Sequence, residues 1–198
     1  MYDFLKGKLA EVVPTYAVID VGGIGYLLQI SLSCYSEING KNEAKLYTHL
    51  HVREDAMLLY GFCQKVEREM FRLLISVSGI GASTAMLMLS GMSVEEIRHS
   101  IQTEDVKTIV KVKGLGQKTA QRLILELKDK IGLILGGTDA TDSQKKHIQG
   151  NTVKNEALSA LTMLGFNKKA GETALDKLLK GNPRLSVEDL IRDALKLL

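Results

Sequence analysis

The chain has 198 residues and a formal net charge of +3, so its overall charge alone is weak evidence for a nucleic-acid partner. The length accommodates one large domain or two to three small ones. No apolar run of about 18 residues occurs, and the first four residues lack the basic-then-apolar order of a signal peptide, so we expect a cytoplasmic protein without a membrane anchor.

The positive charge is concentrated after the first third of the chain. Residues 1–63 carry 5 basic and 7 acidic side chains, whereas residues 64–135 carry 11 and 8, and residues 136–198 carry 10 and 8. The two cysteines, Cys34 and Cys63, stand outside any C-x-x-C motif. They indicate neither a zinc site nor a disulfide framework, and we expect core or surface thiols.

Residues 1–63 have the pattern of short β-strands separated by Gly, Asn and Pro. Five strands are predicted, over Phe4–Val12, Val18–Val21, Gly25–Ile30, Ala44–Leu50 and Ala56–Phe62. Five short antiparallel strands within about 60 residues favour a small barrel of the OB kind, because closure removes exposed strand edges.

Two motifs in this region could suggest ligand sites. The glycine-rich run from Gly22 to Gly25 precedes a strand and not a helix, so a hairpin turn is favoured over a nucleotide-binding loop. His49 and His51 alternate on one strand near Glu54 and Asp55, but a third well-spaced metal ligand is not evident.

The turn at Arg53, Glu54 and Asp55 connects the last two predicted strands. A charged turn is ordinarily a solvated one, and the residues alone favour that interpretation. Two adjacent carboxylates would also repel phosphates, which is unusual in a chain with other signs of DNA binding.

An internal repeat spans the middle of the chain. Residues 74–89 align with residues 109–124, which places Gly79-Ile80-Gly81 over Gly114-Leu115-Gly116 and Thr84-Ala85 over Thr119-Ala120. Apolar residues recur at helical spacing on both sides of each Gly-hydrophobic-Gly. The pattern predicts two helix-hairpin-helix units, joined by a helix capped at Ser93 and a second capped near Asp105.

The two glycine turns are candidate phosphate sites. In each turn a helix N-terminus with free N–H groups follows the second glycine, and its partial positive charge favours an anion. The second unit also has seven basic residues around it, with only Glu126 and Asp129 as acids: Lys107, Lys111, Lys113, Lys118, Arg122, Lys128 and Lys130. Contacts of this kind to phosphates are independent of base sequence.

Beyond Leu135 the composition becomes polar and small, so residues 136–150 are predicted to be a flexible linker. Residues 151–198 then predict three helices, at 152–164, 168–180 and from a cap at Ser186 to Leu198. So short a module cannot bury all of its leucines, and part of its apolar surface is expected to dock a protein.

This order of parts resembles the RuvA family of Holliday junction branch migration proteins over essentially the whole chain, including the opening Met1–Gly7 and the segment Val112–Lys128. The resemblance implies a multidomain β then all-α protein: an OB-fold barrel (1–63), a tandem helix-hairpin-helix domain (64–135), the linker (136–150) and a three-helix, ubiquitin-associated-like domain (151–198). It also implies a homotetramer, possibly an octamer, on four-way junction DNA, with the hexameric ATPase RuvB and the resolvase RuvC as partners.

The resemblance also assigns roles to residues. The DNA-binding residues would be Gly79, Gly81, Ser83, Gly114, Gly116, Lys118, Thr119 and Arg122. Glu54 and Asp55 would form an acidic pin at the junction centre, and Leu161, Leu164 and Leu195 would contact the ATPase. The family often has a lysine where this chain has Ser83, so we expect the second hairpin to supply more of the charge.

The sequence leaves two other functions open. A base-excision glycosylase also carries such a hairpin but needs a catalytic aspartate after it, and the available Asp139 lies in the predicted linker. A protein adaptor acting through the last module would leave the hairpins unexplained. No G-x-x-x-x-G-K-[ST] loop is present, so we expect no cofactor, and ATP would be used by the partner.

Overall fold

The computed structural model describes residues 2–135, 149–182 and 185–198, with the side chains at 132–135 and 149–152 left undescribed. The chain divides into two compact units, of which the first contains the residues up to 135 and the second contains residues 149–198.

The first unit begins with a closed five-stranded barrel in the order β1-β2-β3-β5-β4. The barrel closes where β1 pairs with β4, from Phe4 opposite Tyr47 to Lys8 opposite Glu43. The OB-type prediction is confirmed, although one neighbouring pair, β3 with β5, is parallel and not antiparallel as predicted. The strands are β1 (Phe4–Val13), β2 (Tyr16–Val21), β3 (Ile24–Ile30), β4 (Glu43–Val52) and β5 (Met57–Phe62).

The glycine-rich run is the turn between β2 and β3. Gly22 and Gly23 have φ angles of 64° and 89°, the backbone of a two-residue hairpin turn that side chains disfavour. The Asp20 carboxylate accepts a hydrogen bond from the Gly23 N–H at 2.7 Å. The prediction of a turn is therefore confirmed.

A short helix, α1 (Leu32–Ile38), lies between β3 and β4, where the sequence analysis predicted none. Ser31 caps it by accepting a hydrogen bond from the Cys34 N–H at 3.1 Å. Cys34 and Ile38 are buried in the barrel core. Seven residues give only two buried positions at helical spacing, too few for the pattern to stand out.

In the described part of the first unit, five helices follow β5, and the caps of α4 and α5 agree with the prediction. Ser93 and Glu96 form a capping box at the start of α4, and Asp105 caps α5. Phe71 of α2 packs against Tyr60 and Phe62 of β5, with ring centroids 5.0 Å apart in both pairs. The helices are α2 (Lys65–Ile75), α3 (Ala82–Gly91), α4 (Val94–Gln102), α5 (Val106–Val110) and α6 (Gln117–Leu135).

These aromatic contacts make the helical core continuous with one end of the barrel. The predicted boundary after residue 63 thus separates strand from helix but does not interrupt the packing. The division of this unit into two domains stays a prediction.

The second unit consists of α7 (Gln149–Met163), α8 (Lys168–Gly181) and α9 (Val187–Ala194). They surround a small core that includes Ala157, Leu161, Leu175 and Leu190. Helix α7 begins three residues before the predicted start at 152, and α9 ends before the predicted Leu198. The predicted linker falls largely on residues 136–148, which lie outside the described residues.

Within the described ranges, none of the helices combines the length and the apolar character needed to cross a membrane.

Candidate nucleic-acid interface

The two Gly-hydrophobic-Gly turns have the same hydrogen bonds, residue for residue. In the first turn the Ile80 N–H donates to the Val77 carbonyl at 3.1 Å, and in the second the Leu115 N–H donates to the Val112 carbonyl at 3.2 Å. The first glycines have φ angles of 93° at Gly79 and 92° at Gly114. Both turns therefore need glycine at the first position, because a side chain there would be strained.

The apolar residue of each turn anchors it in the helical core. Ile80 is 4% exposed and Leu115 is 5% exposed. Since these side chains fill the space between the helices of their own hairpin, the glycines on either side are held at the surface, where both second glycines are exposed.

The two turns face each other through a reciprocal contact. A Cβ atom placed on Gly79 would lie 3.6 Å from Thr119 Cγ2, and one placed on Gly114 would lie 3.8 Å from Thr84 Oγ1. The first residue of each turn thus meets the threonine of the other repeat. This exchange of equivalent contacts relates the hairpins by an approximate two-fold axis.

The second glycine of each turn leaves a helix N-terminus open. The first helical hydrogen bonds of α3 and α6 run from Ala85 to Gly81 and from Ala120 to Gly116, both at 3.0 Å. The N–H groups before these donors have no acceptor within their helix. Gly81 brings no capping side chain, and a Cβ atom on either second glycine would have no neighbour within 4 Å.

The charge at these N-termini is also uncompensated. Neither α3 nor α6 has an acidic residue in its first turn, whereas α4 has Glu95, Glu96 and a serine cap. A capping side chain and first-turn acidic residues, which ordinarily satisfy a helix N-terminus, are therefore present in α4 but not at the N-termini of α3 and α6. Open amides with an uncompensated dipole form a site for an anion such as phosphate.

The basic residues near the second turn differ in their availability. Lys118 and Arg122 are exposed, and Arg122 is 3.9 Å from the Glu126 carboxylate one turn further along α6. Lys128 is paired with Glu104, which raises the pKa of Lys128. Among the described carboxylates none pairs with Lys107, Lys111, Lys113, Lys118 or Lys130.

Ser83 occupies the position in α3 that Lys118 occupies in α6. Its side chain is exposed and carries no charge. The departure from the family pattern is therefore at the surface of the first hairpin, next to the open N–H groups. Thr119, a predicted contact residue, is half-buried because it packs towards Gly79.

The acidic tip is the turn between β4 and β5. The Arg53 N–H donates to the Ala56 carbonyl at 2.8 Å, which leaves Glu54 and Asp55 at the end of the hairpin. Both carboxylates are exposed and form no ion pair with another described residue. The tip therefore presents two exposed carboxylates that are not paired with a described cation.

The histidines of β4 are engaged with neighbouring side chains. The His51 Nε2 atom accepts a hydrogen bond from Arg53 Nε at 3.0 Å, and the His49 ring packs edge-on against Phe71 at 5.3 Å. Burial of His49, with Arg72 nearby, lowers the pKa of its imidazole. In the part of the chain that is described, no cluster of three or more His, Cys, Asp or Glu side chains could hold a metal ion.

The three leucines assigned to the partner contact differ in exposure. Leu161 is 1% exposed and belongs to the core of the second unit, so its side chain is not available to a partner. Leu164 and Leu195 are 61% and 42% exposed. Met163, which the sequence analysis did not single out, is 90% exposed beside Leu164.

Comparisons with known proteins cover the whole of this arrangement. The chain matches the model of the RuvA N terminal domain over residues 1–61, the SAM-like helix-hairpin-helix tandem over 71–129, and the RuvA C-terminal domain over 152–198. It is 50% identical to the Holliday junction branch migration complex subunit RuvA of Christiangramia forsetii, with 99% of each chain covered. The chain belongs to the RuvA family.

Further RuvA relatives extend this match. The Holliday junction branch migration complex subunit RuvA of Cytophaga hutchinsonii is 47% identical with 100% of each chain covered, and that of Bacteroides thetaiotaomicron is 46% identical with 99% covered. The resemblance inferred from the glycine repeat and the order of parts is confirmed.

One feature of this chain was missed by the sequence analysis, namely the pairing of the hairpins through Thr84 and Thr119. The alignment of the repeats had placed these threonines in register. Equivalent residues at a fixed place in two adjacent repeats are what a two-fold contact requires, so that register was the signal available.

Proposed function

We propose that this chain binds four-way DNA junctions by shape, independently of base sequence, as the DNA-binding subunit of a branch migration complex in recombination and repair. The observation that carries the proposal is the pair of open helix N-termini, held side by side by the reciprocal contact of Gly79 with Thr119 and Gly114 with Thr84.

The two-fold relation of the turns matches the symmetry of the ligand. The two strands of a duplex run antiparallel, so a local two-fold axis relates their phosphates across a groove. Each open set of N–H groups would then meet one strand of the same junction arm. Because amides and lysines contact phosphate and not base edges, the contact carries no sequence preference.

The acidic tip would confer selectivity for the junction. In a homotetramer on a four-way junction, four copies of Glu54 and Asp55 would lie at the centre, where the arms diverge. Their charge would repel phosphates that cross this position in a continuous duplex and would keep the exchanging strands apart. In an octamer, two tetramers would enclose the junction, and each would contact it through this same DNA-binding surface.

The second unit would connect the junction to the motor. We assign Leu164 and Leu195, with Met163, to the contact with the hexameric ATPase RuvB, because these apolar side chains are exposed on a unit whose core is otherwise closed. ATP would be used by the motor and no cofactor by this cytoplasmic chain. The resolvase RuvC would act on the same open junction.

A branch migration assay tests the proposal. A labelled four-way junction incubated with this chain, RuvB and ATP should be converted to duplex products, and omission of the chain, the motor or ATP should abolish the conversion. Products formed equally well without the chain would contradict it.

The glycosylase alternative has less support. The relatives described above match the chain from end to end under one name, which is that of a branch migration complex subunit. Release of a free base from damaged duplex would restore that alternative, whereas no release together with junction conversion favours the function proposed here.

A further inference from the structure

The two cysteines lie against each other. The Cys34 and Cys63 Sγ atoms are 2.6 Å apart, although 29 positions separate the residues in sequence. Both are free thiols, and the Cys63 thiol also lies 3.7 Å from the Cys34 carbonyl. Two sulfur atoms this close need little movement of either side chain to form a bond.

The two cysteines lie on elements that pack against, or lead into, the helices of the first hairpin. Cys34 is on α1, whose Ser33 hydroxyl donates to the Leu89 carbonyl of α3 at 3.0 Å. Cys63 directly follows β5, and only Gln64 separates it from α2. A bond between the two sulfurs would therefore connect the helix that braces α3 to the start of α2, the two helices of the first hairpin.

The two thiols differ in accessibility. Cys34 is fully buried, and Cys63 is partly exposed. The hydrogen bond with Cys63, burial, and the nearby Glu67 and Glu37 raise the pKa of the Cys34 thiol. An oxidant from solution therefore reaches Cys63 first, and Cys34 is placed to attack the product.

We propose that Cys34 and Cys63 are a redox modification site, which a small-molecule disulfide oxidises to an intramolecular disulfide and a dithiol reductant restores. The Cys63 thiolate attacks the small disulfide, forms a mixed disulfide and releases one thiolate of the oxidant. The Cys34 thiol then attacks Cys63 Sγ and passes its proton to the departing thiolate, so the second half of the oxidant leaves as a thiol. The cysteines lose two electrons and two protons, and the oxidant ends as two thiols.

The consequence is a more stable first unit in the oxidised chain. A disulfide that closes a loop of this length removes conformational entropy from the unfolded chain, so the thermal midpoint of the barrel and hairpins should rise by roughly 5 °C or more. The inference does not depend on DNA binding, and neither sulfur belongs to the glycine turns.

The test is equilibration of the folded, full-length chain with oxidised glutathione, read by intact-mass spectrometry and thiol titration. The unmodified chain should lose both thiols and two hydrogen atoms without retaining glutathione, and dithiothreitol should reverse this. The variant Cys34→Ser should stop at a mixed disulfide with glutathione on Cys63. The variant Cys63→Ser should keep its thiol, because Cys34 is buried.

Circular dichroism first confirms that each variant is folded, and Cys34→Ala replaces Cys34→Ser if the latter is not. Dithiothreitol in a parallel sample of the same buffer shows that the oxidant is active. The proposal is overturned if dithiothreitol is oxidised there while the unmodified chain retains both thiols. It is also overturned if the oxidation of the unmodified chain stops at the mixed disulfide. Equal thermal midpoints for the oxidised and reduced chains would overturn the stabilising role.

Discussion

Lys118 and Ser83 occupy equivalent positions in the two repeats, and only Lys118 brings a positive charge to its turn. Lys118→Ala should therefore weaken junction binding by about 1 kcal/mol or more per subunit contact and reduce the salt slope by about one unit, while Ser83→Ala should do less. Titrations of a labelled junction at several salt concentrations measure both effects.

Lys128→Ala is the matched control for Lys118→Ala. It removes the same charge about 15 Å further along α6, from a side chain that is already paired with Glu104. If Lys128→Ala weakens junction binding as much as Lys118→Ala, overall charge and not the position beside the turn determines the affinity.

Gly81 allows stability and binding to be separated at one residue. Its φ and ψ of −85° and 168° suit a serine N-cap, and an added side chain would meet no atom of the chain. In Gly81→Ser the hydroxyl should accept from the open N–H groups of α3, which leaves stability equal or higher by a few tenths of a kcal/mol. Junction affinity should fall by about 1 kcal/mol, because the hydroxyl occupies the phosphate site.

Thermal unfolding and junction titration of the same Gly81→Ser preparation make the comparison, with Gly79→Ala as the control. At the φ of 93° an alanine is strained, so Gly79→Ala should lower stability as well as binding. Unchanged junction affinity in Gly81→Ser would show that the α3 N-terminus does not contact DNA.

At the scale of the element, the hairpin between β4 and β5 presents Glu54 and Asp55 beyond the barrel. The double variant Glu54→Gln, Asp55→Asn keeps the shape of the tip and removes its charge, so binding to continuous duplex should rise and the preference for junctions should fall. Competition between duplex and labelled junction measures the ratio.

The acidic tip has a control at the other end of the same strand, where Glu43 is also exposed. Glu43→Gln removes one negative charge from β4, the same change in charge that Glu54→Gln alone makes in the tip. If duplex binding is the same for the double variant and the unmodified chain, the tip is an ordinary solvated turn.

The hairpins were predictable because local pattern determines them. Glycines, caps and apolar spacing lie within each repeat, so Ser93, Asp105 and both turns were placed correctly. The contact between the turns was not predicted, because the register of Thr84 and Thr119 gives equivalent positions but the contact itself depends on how two helix pairs pack against each other. For Leu161 the sequence left core packing and partner contact both open, since a spacing of three residues defines a shared helix face without saying which face meets the core.

At the scale of the whole molecule, the chain divides into two compact units, and the proposed function assigns DNA binding to the first and motor docking to the second. A chain ending at residue 137 should fold and bind junctions with unchanged affinity, because the barrel, both hairpins and their core are complete without the second unit. It should not support branch migration with RuvB. Circular dichroism, junction titration and the branch migration assay check the three expectations.

Leu164→Ser in the full-length chain tests the same assignment with the second unit in place. Leu164 is exposed, so its replacement should leave the fold intact. It should reduce stimulation of the ATPase without changing junction affinity. Full branch migration activity in the truncated chain would refute the assignment of the second unit to motor docking.

The most direct test of the account is the affinity of the unmodified chain for a four-way junction and for linear duplex of equal length, measured side by side from low to physiological salt. The chain should bind the junction more tightly than the duplex at every salt concentration, lose affinity for both DNAs steeply as salt rises, and be unaffected when the arm sequences are scrambled. Equal affinity for junction and duplex across the series would contradict it.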